Sequence, residues 1–191
     1  MFPWPSRLNL CRGVTALLCT VATLTSSDGI AAAVDSRPAS AIKAAYLFKF
    51  SSYVQWPERA FPTATSPAVL CVVGDDPFGT ILDDTMNGRQ INDRPVVVRR
   101  LKAVSEASEC LVLYIGGASV KQASEALGVV KGAGVLTVTD AASDSNATGI
   151  INFVVQNDNV RFSIDEAAAA TNGLAISSKL LSLAVSTKAR N

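Results

Sequence analysis

Residues 68–77, AVLCVVGDDP, read as a buried strand that runs straight into a turn. The run from Ala68 to Val73 is apolar, partly β-branched and too short for a helix, and Gly74 closes it. Asp75, Asp76 and Pro77 supply a helix start, with Asp76 the expected N-cap and Pro77 the expected first helical residue. Phe78, Ile81, Leu82 and Met86 then form an apolar face, ended by Asn87-Gly88. Pro95–Leu101, Leu111–Ile115 and Val135–Val138 repeat the strand signature. Between the last two, Val120, Ala123, Leu127 and Val130 recur at three and four within a helix from about Ser119 to Val130. Strand, helix and strand in short alternation predict parallel pairing through right-handed crossovers.

Outward from this centre the pattern changes. After Asp140, Ile150–Val155 and Val160–Ile164 flank Gln156-Asn157-Asp158-Asn159, the mark of an antiparallel hairpin. A closing helix is expected near Asp165, interrupted at Asn172-Gly173, with a Ser163/Glu166 capping box and Asp165 as competing N-cap. Upstream, Ala44, Leu47, Phe48, Ser51 and Val54 mark a helix over 41–55, stopped by Pro57. The expected fold class is α/β: a mostly parallel, doubly wound (Rossmann-like) sheet with helices on both faces, and a C-terminal antiparallel hairpin plus helix. The tail beyond Thr187 is polar and expected to fray.

The chain has 191 residues, 49% of them apolar and 17% charged, enough for one core. Seventeen basic and 16 acidic residues give a formal charge of +1, which offers no electrostatic ground for binding nucleic acid. Histidine is absent from the sequence, which removes Ser-His-Asp and Cys-His catalysis and every zinc site that needs imidazole. Arg7 and Arg12, the apolar run Val14–Leu24 and Ala31-Ala32-Ala33 follow the order of a secretory signal, with cleavage expected after Ala33. Residues 1–33 are thus read as a signal peptide and 34–191 as a single domain; a retained anchor is the alternative. Cleavage would leave basic and acidic groups equal in number, and Cys71 and Cys110 as the remaining cysteines. In an oxidising compartment one disulfide is the simplest arrangement, two buried thiols the alternative.

Ligands of an open parallel sheet bind beyond the strands' carboxyl ends. Here those ends are Gly74-Asp75-Asp76, Gly116-Gly117-Ala118-Ser119 and Thr139-Asp140. A candidate ligand crevice is therefore Gly74, Asp75, Gly116, Gly117, Ser119 and Asp140. Gly116-Gly117 reads as a tight strand-to-helix turn, with an anion cradle as the alternative. The full dinucleotide fingerprint and the P-loop lysine are missing, and the neighbouring aspartates would repel phosphate. Asp75, Asp76 and Asp140 could converge on magnesium, but Asp76 is explained as a cap, so no metal or cofactor is expected. Ser177, Ser178 and Lys179 carry a weak Ser-Lys signal; adjacent helical side chains diverge by about 100 degrees, which favours capping and packing. Tyr46, Phe50, Tyr53 and Trp56 crowd one helix, either as core or as a partner surface.

Several segments in order resemble the YfiR family: KAAYL at 43–47 leading to VQWP at 54–57, CVVGDDPFG at 71–79, Arg94-Pro95, ECLVLYIG at 109–116, LTVTD at 136–140, GIINF at 149–153, RFSID at 161–165 and GLAISSKLLSLA at 173–184. The resemblance implies an α/β sandwich and a periplasmic, non-enzymatic role. It implies a repressor that binds the periplasmic region of an inner-membrane diguanylate cyclase, lowering cyclic-di-GMP signalling and biofilm formation, and that an outer-membrane lipoprotein sequesters. Homodimers are also implied as possible. Cys71 and Cys110 match the family's cysteine pair. Where the resemblance implies that some members have a second pair, near the loop before GIINF, this chain has Ser145 and Asn152 in that region and no cysteine, so redox sensing by a second bridge does not carry over to it. The alternative function is a periplasmic small-ligand-binding domain using the strand-end crevice.

Overall fold

The computed structural model describes residues 37–117, 119–140 and 147–189. All of them belong to one compact unit, Asp35–Asn191. The expected signal peptide and Ser145 lie outside the described residues.

Helix α1 (Arg37–Ser52) comes first, followed by the two-residue strand β1 (Val54–Gln55). Ala44, Leu47, Phe50 and Ser51 are its fully buried line, spaced at three and four. The helix stops three residues earlier than its apolar periodicity suggests. Tyr53 N–H bonds back to the Phe50 carbonyl, and Val54 and Gln55 leave to pair with β9 (Ala175–Ile176). A β-branched residue just ahead of Trp56-Pro57 is better satisfied by a strand partner than by another helical turn.

Then come β2 (Ala68–Gly74), α2 (Thr80–Met86), β3 (Gln90–Ile91), β4 (Arg94–Arg100), β5 (Val112–Gly116), α3 (Val120–Val129) and β6 (Leu136–Asp140). The hairpin β7 (Ile151–Gln156) and β8 (Asn159–Asp165) follows, then α4 (Glu166–Thr171), β9, α5 (Ser178–Leu181) and β10 (Ser186–Lys188). The large sheet has eight strands in the order β10-β8-β7-β6-β5-β2-β4-β3. Strands β4, β2, β5, β6 and β7 pair in parallel with one another in that order. The hairpin turns on Asn157 and Asp158, both at positive φ as a two-residue type I′ connection needs, so β7 and β8 are antiparallel.

The doubly wound, Rossmann-like expectation needs correction: the architecture is mixed α/β. Strand β3 closes one end of the sheet antiparallel to β4, and β10 closes the other parallel to β8. The link from β4 to β5 is a 3-10 turn at Val104–Glu109 instead of a helix. Helices do lie on both faces, but unequally. On one face α1, α2, α4 and α5 cover Leu70, Val72, Val112, Leu136, Val138, Ile151 and Phe153. On the other, α3 and the 3-10 turn cover a smaller set around Cys71, Leu113, Ile115 and Val135.

One cap differs from expectation, and the other is decided between the two expected candidates. Asp76 does not cap α2: its Oδ1 accepts the N–H groups of Phe78 (2.8 Å) and Gly79 (3.3 Å) in an Asx turn, and the helix starts later, at Thr80. Asp165, and not Ser163, caps α4 by accepting the Ala168 N–H at 2.8 Å. Strand β10 reaches Lys188, one residue past Thr187, and the Lys188 Nζ lies 3.2 Å from the Asp165 carboxylate.

Candidate functional site

The carboxyl ends of β2, β5 and β6 lie side by side in the sheet, so the residues following them meet by construction. At the first two ends the turns touch directly. Asp75 N–H donates to the Gly116 carbonyl at 2.8 Å. Neither Gly116 nor Gly117 has room for a Cβ, which would collide with the Asp75 carbonyl in the one case and the Asp75 carboxylate in the other. Gly117 also sits at φ +52°, a conformation that L side chains rarely adopt. These glycines therefore serve a close approach between turns. The space an anion would take beside Gly117 is filled by the Asp75 carboxylate, whose charge opposes the anion-cradle reading.

The third end is built differently. Asp140, the last residue of β6, accepts from Tyr114 Oη at 3.0 Å and from Lys43 Nζ at 2.5 Å. Tyr114 reaches it from β5, and its ring meets Phe78 edge-on at 4.8 Å between centroids. Lys43 reaches it from α1, 97 residues away in sequence, with its Nζ 5.8 Å from the centre of the Phe153 ring. Lys43 and Asp140 keep only 13% and 18% of their side-chain surface, so the pair is shielded and ties α1 to the end of β6. Burial, and next the Asp140 charge, push the Tyr114 phenol far above its ordinary range, so it acts as a fixed donor. Replacing Asp140 by asparagine keeps an acceptor for Tyr114 but leaves the Lys43 ammonium without its counter-charge. The expected cost is about 1.5–3 kcal/mol, read as a lower urea midpoint at an unchanged slope.

The three aspartates do not converge. Asp75 packs on Gly117, Asp140 holds Lys43 and Tyr114, and Asp76 Oδ2 accepts from Arg100 Nε at 2.7 Å. Arg100 also bridges both Asp83 oxygens and the Gly79 carbonyl, and its hydrogen bond holds the Asp83 carboxyl below its ordinary value. Among the described residues, no group of three or more Cys, Asp and Glu could hold a metal ion. Ser119 is the α3 N-cap in a reciprocal capping box with Gln122, and Ser177 caps α5 by accepting the Lys179 N–H. Both serines thus have structural duties.

The four aromatics do not share one helix: Tyr46 and Phe50 lie on α1, whereas Tyr53 and Trp56 follow its end and flank β1, because Val54 and Gln55 leave to pair with β9. Phe50 is wholly buried, its ring 4.8 Å from Phe162 and 5.7 Å from Phe153, and it stacks on Tyr46 at 5.5 Å. Phe50 therefore leaves the candidate partner surface, because the sheet claims its ring. Tyr46, Tyr53 and Trp56 are half-buried and pack against the same core. The cysteines are joined: Cys71 in β2 and Cys110 just before β5 form a disulfide with Cα atoms 5.9 Å apart. Sequence reasoning passed over Lys43, Tyr114 and Arg100, whose positions carry no local signal beyond an ordinary helix and two ordinary strands.

The family model described as YfiR/HmsC-like matches residues 40–185, from within α1 to just short of β10. The chain belongs to the YfiR/HmsC-like family. At family level this makes it a relative of periplasmic regulators of diguanylate cyclase, a regulatory and not a catalytic group. No curated protein matches the chain in sequence. Within the YfiR/HmsC-like domain, the matched span contains the disulfide, the Lys43–Asp140–Tyr114 cluster and the Arg100 knot. Among the described residues, no helix is long and apolar enough to cross a membrane.

Proposed function

We propose that this YfiR/HmsC-like domain is a periplasmic repressor that holds an inner-membrane diguanylate cyclase inactive by occupying the cyclase's periplasmic region. Residues 1–33 would direct export and be removed by cleavage after Ala33. An outer-membrane lipoprotein competes for the repressor, and a homodimer is a further state it can take. The observation that carries this reading is the family match over 40–185, which spans nearly the whole described fold. A cross-linked domain whose strand-end polar groups are already satisfied by one another suits a binding role. Signalling then follows differential affinity: repressor held by one partner is withdrawn from the other.

Deleting the coding segment for residues 34–191, in cells that keep the cyclase, is expected to raise cyclic-di-GMP and biofilm mass. Restoring the exported chain should bring both back. Unchanged cyclic-di-GMP after deletion would defeat the proposal.

A further inference from the structure

Among the described residues, one edge of the large sheet is incompletely covered. Strand β3 pairs with β4 at Pro95 and Arg94, and the Arg89 carbonyl takes the Val96 N–H at 3.0 Å; there the cover ends. Leu101 N–H donates to the Val72 carbonyl on β2, which fixes the alternation of β4 in its parallel ladder. In that alternation Val97 and Arg99 turn their main chain toward β2, so Val98 and Arg100 present N–H and C=O outward. An uncovered edge of this kind is a template for an added strand unless charges guard it. The guards here are drawn back. Arg99 is paired with Glu106 and Glu109, Arg100 with Asp76 and Asp83, and Arg94 lies over the Phe61 ring.

Beside the edge runs a groove of about 380 Å³ between α2 and β4, lined by Asp83, Asp84, Met86, Val96 and Val98. Asp83 is neutralised by Arg100, whereas Asp84 has no ion pair among the described residues. The groove thus has a mixed lining, in which Val96 and Val98 supply the apolar part and Asp84 a carboxylate with no ion pair among the described residues.

We propose that the β4 edge from Val97 to Arg100 receives an extended segment of the repressed cyclase's periplasmic region, which adds a strand and lays a Lys or Arg against Asp84. The assignment of the partner rests on the repressor reading above. Main-chain pairing supplies affinity in this mode, and alternate side chains in the groove supply selectivity. The opposite edge is a poorer template: β10 has three residues, and its Lys188 is tied to Asp165.

The test is hydrogen exchange on the mature protein, alone and with the purified periplasmic region of the cyclase that the deletion releases. The expected result is slowed exchange in the 97–100 segment on binding. Val98→Pro removes an outward donor, a change that edge strands accept, and should weaken binding at least tenfold at a near-normal thermal midpoint. Asp84→Lys should weaken it too, and Ser186→Pro on the opposite edge should not. A complex that forms with protection elsewhere, or survives both Val98→Pro and Asp84→Lys, overturns the edge assignment and leaves the repressor reading standing. Protection that appears with rising concentration of the protein alone gives the edge to a second copy and also overturns it. Absence of any complex overturns both readings.

Discussion

Replacing Phe50 by alanine is expected to lower the unfolding free energy by about 3–5 kcal/mol. The ring is fully buried and meets three other aromatic rings, so its removal leaves a cavity between α1 and the β7–β8 hairpin as well as losing transfer energy. The neighbours close that space only in part, because Tyr46 already packs edge-on against Phe162. Urea unfolding with matched slopes measures the loss. Tyr53→Ala, at the half-buried position just past the end of the same helix, is the comparison and should cost clearly less. Equal costs would mean that Phe50 does not anchor the helix.

Breaking the Cys71–Cys110 bridge is the second large effect. It closes a separation of 39 residues, for which the chain-entropy model gives about 4 kcal/mol. That is a large share of the roughly 5–15 kcal/mol by which a domain is stable. The paired Cys71→Ala and Cys110→Ala variant should therefore melt well below the parent, and reductant should lower the parent's midpoint while leaving the variant's unmoved. A thiol assay on the unreduced, unfolded mature protein should find no reactive cysteine; two would refute the bridge. The bridge links central strand β2 to the 3-10 turn before β5, in the smaller of the two cores, where fewer apolar contacts share the load.

The repressor reading and the β4 edge stand on different footings. The first comes from the family match over residues 40–185, the second from the main-chain alternation of one strand beside a groove that carries an unpaired carboxylate. A partner can therefore be retained while its docking edge is reassigned.

Residues close in sequence wrote their own structure. The runs AVLCVV, LVLYI and LTV became β2, β5 and β6 because short apolar runs bounded by glycine or aspartate are best buried on both faces. Asn157-Asp158 made the hairpin, Ser119 with Gln122 started α3, and cysteine number pointed to the bridge. Pairings of two or three residues, β1 with β9, β3 with β4 and β10 with β8, were out of reach. Segments that short have no periodicity, and form only where another part of the chain offers free main-chain groups. For the same reason Asp140 could be named as a candidate while Lys43 and Tyr114 could not: a contact across 97 residues exists only once α1 has packed on the sheet. Likewise, composition placed Phe50 on an aromatic helix, but whether its ring met solvent or Phe153 and Phe162 was decided by the face that helix buried. Local spacing thus determined which segments are strands and helices, and tertiary packing determined which edges, charges and rings remain for a partner.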